Sequence, residues 1–137
     1  MTVTIERLRV VPLFQALSTR DLERVLEIGK EVVHDPGQLV VEQEHAGIGF
    51  HLILGGAAAV SVGERSVGEV GPGAYFGEMS IIDGGPRSAT VIAATELTTF
   101  SIPGWNFQEL MDRHPSVVKA LLVELCGRIR RMDETRS

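Results

Sequence analysis

The sequence predicts a mainly β fold with α-helices at both ends. Three observations carry that expectation. From residue 31 onward, short apolar runs alternate with Gly, Pro and Asp breakers, the pattern of many short strands folded into a sandwich or barrel. Before residue 31 and after residue 103, apolar residues recur instead at helical spacing. Fifteen glycines beside few aromatic residues suit a chain that turns tightly and often.

Taken in order, Ile5, Leu8 and Val11 form one side of a short helix that ends before Pro12. Ser18 has the chemistry of an N-cap, with Asp21 three residues on in a near capping box. Leu22, Val25, Leu26 and Gly29 follow at helical spacing and predict a packing helix over about 19–30. The period then changes. Glu31-Val32-Val33-His34, Gln38-Leu39-Val40-Val41-Glu42, Gly49-Phe50-His51-Leu52-Ile53-Leu54 and Ala57-Ala58-Ala59-Val60-Ser61-Val62 read as strands. They are punctuated by Asp35-Pro36-Gly37, Gly55-Gly56, Gly63-Glu64 and Gly71-Pro72-Gly73. Two further strands between Ala89 and Ile102, broken around Ala94-Thr95-Glu96, bring the strands marked by apolar runs to six within an eight-strand reading. Pro103-Gly104-Trp105-Asn106 opens a short helix carrying Phe107, Leu110 and Met111, which stops near His114-Pro115. From there Val118, Leu121, Leu122, Leu125, Ile129 and Met132 form one apolar stripe along a helix of about 115–133. Arg128, Arg130 and Arg131 lie near its C-terminal end, where the macrodipole favours cations.

The 137 residues bound a single domain, large enough to bury a core and too short to hold a separate effector as well. A net charge of -5 disfavours nucleic acid or an anionic membrane as partner. The single Cys126 excludes an internal disulfide and reads as small filler on the last helix. Neither a secretory signal nor an apolar run of membrane length is visible, which makes the cytoplasm the default location.

The most specific stretch is residues 76–90, Phe76-Gly77-Glu78-Met79-Ser80-Ile81-Ile82-Asp83-Gly84-Gly85-Pro86-Arg87-Ser88-Ala89-Thr90. Gly77 opens a turn, and Glu78 to Ile82 is long enough for one helical turn whose first N–H groups suit an anion. Gly84-Gly85-Pro86 forces a second turn that brings Arg87 and Ser88 back toward the start of the loop. Arg87 offers a planar fork of donors for phosphate oxygens, Ser88 adds a hydroxyl, and Glu78 only accepts, as ribose hydroxyls require. The loop reads as a receptor for a compact sugar phosphate. The competing reading makes Glu78 and Arg87 a surface ion pair that stabilises two turns.

Phe76-Gly77-Glu78-Met79-Ser80 followed by Pro86-Arg87-Ser88-Ala89-Thr90 resembles the phosphate-binding cassette of cyclic nucleotide-binding domains. That is the sensor module of catabolite activator proteins and of cyclic-nucleotide-dependent kinases and channels. The resemblance extends through Phe50-His51-Leu52-Ile53-Leu54-Gly55-Gly56 and the helical tail, covering roughly residues 12–132. It implies an eight-stranded jelly-roll β-barrel with N-terminal helices and two C-terminal helices. The expected division of 1–137 is a helical segment at 1–30, the barrel at 31–102 with its cassette at 76–90, and C-terminal helices at 103–133. The implied ligand is cAMP, with cGMP as the alternative, and no cofactor. Phe76, Gly77, Glu78, Met79 and Ser80 would then meet the ligand from one side of the cassette. Pro86, Arg87, Ser88 and Ala89 would meet it from the other, with Arg87 neutralising the phosphate and Glu78 accepting from the ribose 2'-hydroxyl. Val60, Val67 and Val70 correspond to base-lining positions, although valines in a barrel serve equally as plain core. By register, Arg128 and Met132 are the candidate lid over the base. Met132 departs from the polar groups that cAMP-selective relatives often place there, and Ser88 stands where cGMP-selective relatives carry threonine.

The remaining polar residues suggest no catalysis. His34, His45, His51 and His114 are widely separated and lack the His-x-His pair of metal-binding cupins, and His51 stands at a packing position. The leading functional expectation is a non-catalytic ligand switch acting through the last two helices on a separate effector protein or a missing effector domain. After Met132 only Asp133 to Ser137 remain, so no DNA-binding or channel element is expected within the chain. The competing expectation is a domain of this fold that no longer binds nucleotide and dimerises through the stripe of its C-terminal helix.

Overall fold

The computed structural model describes residues 3–41, 49–84 and 89–136. The chain begins with helix α1 (Ile5–Arg9), a 3-10 turn at Pro12–Phe14 and helix α2 (Thr19–Ile28). As the residue types suggested, the Ser18 Oγ accepts from the Asp21 N–H at 3.1 Å and starts α2. The helix ends two residues before the expected position because Gly29 passes directly over the ring of Phe100, where a Cβ would collide with it. Lys30 is thereby free to begin strand β1.

Eight strands follow: β1 (Lys30–His34), β2 (Leu39–Val41), β3 (Gly49–Gly55), β4 (Ala58–Val62), β5 (Arg65–Val70), β6 (Tyr75–Phe76), β7 (Thr90–Ala93) and β8 (Leu97–Pro103). Helix α3 (Glu78–Asp83) interrupts them, and α4 (Gly104–Arg113) and α5 (Pro115–Arg136) close the chain. The strands make two four-stranded antiparallel sheets, ordered β1-β8-β3-β6 and β2-β7-β4-β5. This is the expected jelly-roll arrangement of mainly β structure flanked by helices. The sequence did not itself mark β5 and β6. The first is an exposed edge strand without a periodic apolar face, and the second holds two residues.

Two cores result. The first sheet turns Phe50, Leu52, Leu54, Phe100 and Ile102 onto the helices, where they meet Leu8, Phe14, Leu22, Phe107 and Val117. Phe50 stacks on Phe107 with ring centroids 4.4 Å apart and meets Phe14 edge-on at 6.5 Å. The opposite face of that sheet meets the second sheet through Ile53, Ala58, Val91, Ala93 and Leu97. No helix among the described residues is long and apolar enough to cross a membrane.

Helix α5 departs from expectation in its orientation. Val117 and Leu121 bury, whereas Leu122, Ile129 and Met132 of the predicted stripe stay more than half exposed. Val118, Leu121 and the half-buried Leu125 of the stripe do turn inward, and Glu124 and Arg128 share that side beyond Leu121, so periodicity located a stripe of which only part packs. Cys126 lies on the exposed side and is not filler.

Candidate functional site

The site begins where β6 ends. Tyr75 and Phe76 pair with Leu52 and His51 of β3, and Gly77 then takes a left-handed conformation at φ +99°, which favours a residue without Cβ. The chain reverses into α3, and Gly84, at φ +71°, terminates that helix. The reversal carries Glu78 inward, where it is 4% exposed. A carboxylate so far from water requires compensation, and one source is the last helix. The Glu78 Oε1 lies 3.5 Å from the Arg128 Nη1. Arg128 also donates from Nε to the Glu124 Oε1 at 3.2 Å, and the Arg131 Nη2 lies 3.9 Å from that same oxygen.

Above this cluster opens a cavity of about 580 Å³, within the range of pockets that take small organic ligands. Val60 of β4, Val67, Gly68, Glu69 and Val70 of β5, and Val91 of β7 form one wall. Phe76, Gly77, Glu78, Met79, Ser80 and Ala89 supply the cassette side. Pro12 and Leu13, with Ala120, Val123, Glu124, Arg128 and Arg131 of α5, close the rest. Tyr75 also lines the cavity, and its phenol is pushed up to about 12 by burial, then by the Glu78 and Glu124 carboxylates, with Arg128 partly offsetting them. A buried acceptor, an apolar wall and guanidinium groups around one cavity match a ligand with hydroxyls, a flat apolar face and negative charge.

The structure thus brings together ten of the residues singled out in the sequence: Val60, Val67, Val70, Phe76, Gly77, Glu78, Met79, Ser80, Ala89 and Arg128. Val67 lines the cavity yet is 57% exposed, as befits an edge strand. Met132 is exposed and lies off the lining. Pro86, Arg87 and Ser88, and with them the competing Glu78–Arg87 ion pair, lie outside the described residues. Sequence reasoning missed Tyr75, Glu69, Glu124 and Arg131. Of these, Glu124 had a signal: it stands four residues before Arg128, the spacing of a helical ion pair. Among the described residues no three His, Cys, Asp or Glu side chains gather as metal ligands.

Comparison with known proteins agrees with this architecture. A family model described as the cyclic nucleotide-binding domain matches residues 31–114. A cyclic nucleotide-gated potassium channel of Rhizobium etli is 33% identical over 111 residues, covering 81% of this chain and 31% of the channel. A cAMP-dependent protein kinase regulatory subunit of Eremothecium gossypii is 35% identical over 107 residues, covering 76% of this chain and 23% of that protein. The chain therefore spans less than a third of these curated relatives. Among solved structures, the catabolite activator protein of Thermus thermophilus superposes with a TM-score of 0.80 at 26% identity, over 90% of this chain and 61% of that one.

Proposed function

The chain belongs to the cyclic nucleotide-binding domain family, and from that membership we propose that its cavity receives cAMP in preference to cGMP and reports occupancy through α5. The observation that carries this reading is the buried Glu78 carboxylate facing Arg128 across a cavity of about 580 Å³. Glu78 accepts from the ribose 2'-hydroxyl, and the Gly77 and Glu78 amides lie close to the ligand. Arg87 and Ser88 hold the cyclic phosphate, with Phe76, Met79, Ser80, Pro86 and Ala89 shaping the cassette around it. Val60, Val67 and Val70 face the base, and Arg128 is its lid. The preference for cAMP rests on the naming of the kinase regulatory subunit.

The two ends of the site are linked. A ribose that takes Glu78 competes with Arg128 for the same carboxylate, so nucleotide and the present seating of α5 oppose each other. The ligand acts only through its different affinity for the two arrangements. The protein is accordingly a regulator without catalysis, acting on a separate effector or on further chain.

Calorimetric titration with cAMP and cGMP tests the reading. The unaltered protein binds cAMP more tightly, and Arg87→Ala loses about tenfold or more, the equivalent of one charge-assisted phosphate contact. Absence of binding to either nucleotide, or full affinity in Arg87→Ala, overturns it. The exposed Leu122, Ile129 and Met132 favour a second, compatible role, homodimerisation through α5. Sedimentation with and without cAMP separates a constitutive dimer from a ligand-controlled one.

A further inference from the structure

A line of polar side chains crosses the first sheet on the face that looks toward the second sheet, where apolar packing would be the ordinary content. His34 of β1 is 8% exposed, and its Nε2 lies 3.2 Å from the Thr99 Oγ1 of β8. Thr99 is fully buried, and its Oγ1 lies 3.2 Å from the Ser101 Oγ. Ser101 in turn lies 2.7 Å from the Nδ1 of His51 on β3. The His51 ring stacks on Phe76 of β6, centroids 5.1 Å apart and planes 25° apart. The register places Ser101, His51 and Phe76 directly opposite one another. Every strand of the sheet therefore contributes, in the order β1-β8-β3-β6, and the line ends on the residue that precedes Gly77.

The line can run in either of two directions that satisfy every hydroxyl, and His34 decides between them. The His34 Nδ1 is buried without a partner, and a bare lone pair there is less costly than a bare N–H donor. The proton therefore belongs on Nε2. His34 then donates to Thr99, Thr99 donates to Ser101, and Ser101 donates to the His51 Nδ1. Each hydroxyl accepts once and donates once, an arrangement in which successive bonds strengthen one another. It also fixes the flip of the His51 imidazole and so the plane against which Phe76 rests.

We propose that Thr99, Ser101 and His51 are positioning residues for the nucleotide cavity, acting through the His51–Phe76 stack to hold the entry to the cassette. None of the three lines the cavity, whereas Phe76 does. An apolar belt of the same volume would fill this space with equal stability but would leave the Phe76 ring free to slide. Directional bonds remove that freedom. The inference rests on the cyclic nucleotide reading of the cavity and adds to it a determinant one layer behind the lining.

The test uses the full chain. Thr99→Val removes one hydroxyl from the line at nearly constant volume, and Thr99→Ser restores it. Affinity for cAMP is measured by calorimetry well below the melting temperature, together with the aromatic NMR shift of Phe76. Thr99→Val is expected to weaken binding roughly three- to tenfold, the equivalent of one neutral hydrogen bond. It is also expected to move the Phe76 ring signals, while Thr99→Ser returns both toward the original values. Ile102→Val, on the other face of the same strand, lowers stability but leaves affinity unchanged. Ser101→Ala breaks the line at its next bond and stands in should Thr99→Val fail to fold. If the unaltered protein binds cAMP while Thr99→Val and Ser101→Ala bind it equally well, the positioning role is refuted and the cavity reading survives. If the unaltered protein binds neither cAMP nor cGMP, the cavity reading falls and the positioning role with it.

Discussion

The ion pair between Glu78 and Arg128 gives a coupling energy that nucleotide should abolish. At the observed 3.5 Å and an effective dielectric of about 20, the gross attraction is about 5 kcal/mol. Most of it does not survive as net stability. The Arg128 side chain is 38% exposed and shares its charge with Glu124, while Glu78 has lost its hydration. A net coupling of about 1–2 kcal/mol remains, between the surface and the buried limits. The assay is a double-mutant cycle in urea with Glu78→Gln, Arg128→Met and the pair together, repeated at nucleotide concentrations that saturate each variant. Methionine keeps the apolar stem of the arginine in place, so packing changes little. Without nucleotide the cycle should give about 1–2 kcal/mol, and with cAMP less than about 0.5 kcal/mol, because the ribose then occupies Glu78. An equal coupling in both conditions would refute the competition between ribose and Arg128. A coupling near zero in both would reduce the pair to proximity.

Two further predictions concern protons. Burial lowers the pKa of His34 from its ordinary 6.5, so the unfolded chain binds that proton more readily than the native one. The associated stability is fully present above pH 6.5 and is lost as pH falls through the lowered value, at no more than about 1.4 kcal/mol per pH unit. Urea unfolding between pH 7.5 and 5.5 should show this slope, and His34→Gln should flatten it; an unaltered slope in the variant would place the effect elsewhere. Tyr75 is the one tyrosine of the chain, which makes its phenolate absorbance an isolated signal. With its pKa at about 12, the folded protein should show no phenolate near pH 10.5, whereas the urea-unfolded chain should show it in quantity. A phenolate titration centred at the ordinary 10.0 in the folded protein would contradict the buried, carboxylate-flanked placement.

The parts of the fold that were legible in sequence are those whose cause is local. Ser18 announces α2 because a hydroxyl before a helix has one productive partner, the Asp21 N–H. The β4–β5 and β5–β6 turns appear where Gly63 and Gly73 adopt positive φ. Where the cause is tertiary, the pattern alone misleads. Gly29 fits helical spacing, yet the ring of Phe100 about seventy residues away along the chain makes it the end of α2. Strand β6 is two residues long because His51 and Leu52 are there to pair with it, and no property of Tyr75 and Phe76 alone reveals that. The acidic half of the cassette was readable because Gly77-Glu78 carries its chemistry in residue type, whereas Val60, Val67 and Val70 of the wall were marked only by the family resemblance, since a valine serves equally as plain core. Tyr75, Glu69 and Arg131 enter the cavity only through the folding of separate segments onto one another.

Helix α5 is the most instructive departure, because its two faces do different things along its length. Over the first turns Val117 and Leu121 bury and fix the helix to the core. Beyond them the inward side carries Glu124, Leu125 and Arg128, and Arg128 reaches the body through its ion pair with the buried Glu78. Of the apolar residues of that distal part, Ile129 and Met132 face outward and Leu125 is half-buried. Burial of apolar surface is the interaction that would seat a helix firmly, and the distal half of α5 has little of it facing the barrel. The ion pair with Glu78 is therefore prominent in its seating, and Glu78 is the carboxylate proposed to receive the ribose. A helix held by charge at the mouth of a cavity, with apolar surface turned outward, can be released by a ligand at modest cost and re-seated by a partner. Sequence periodicity could show the stripe but not this division, because periodicity records where apolar residues recur and carries no information about which surface meets them.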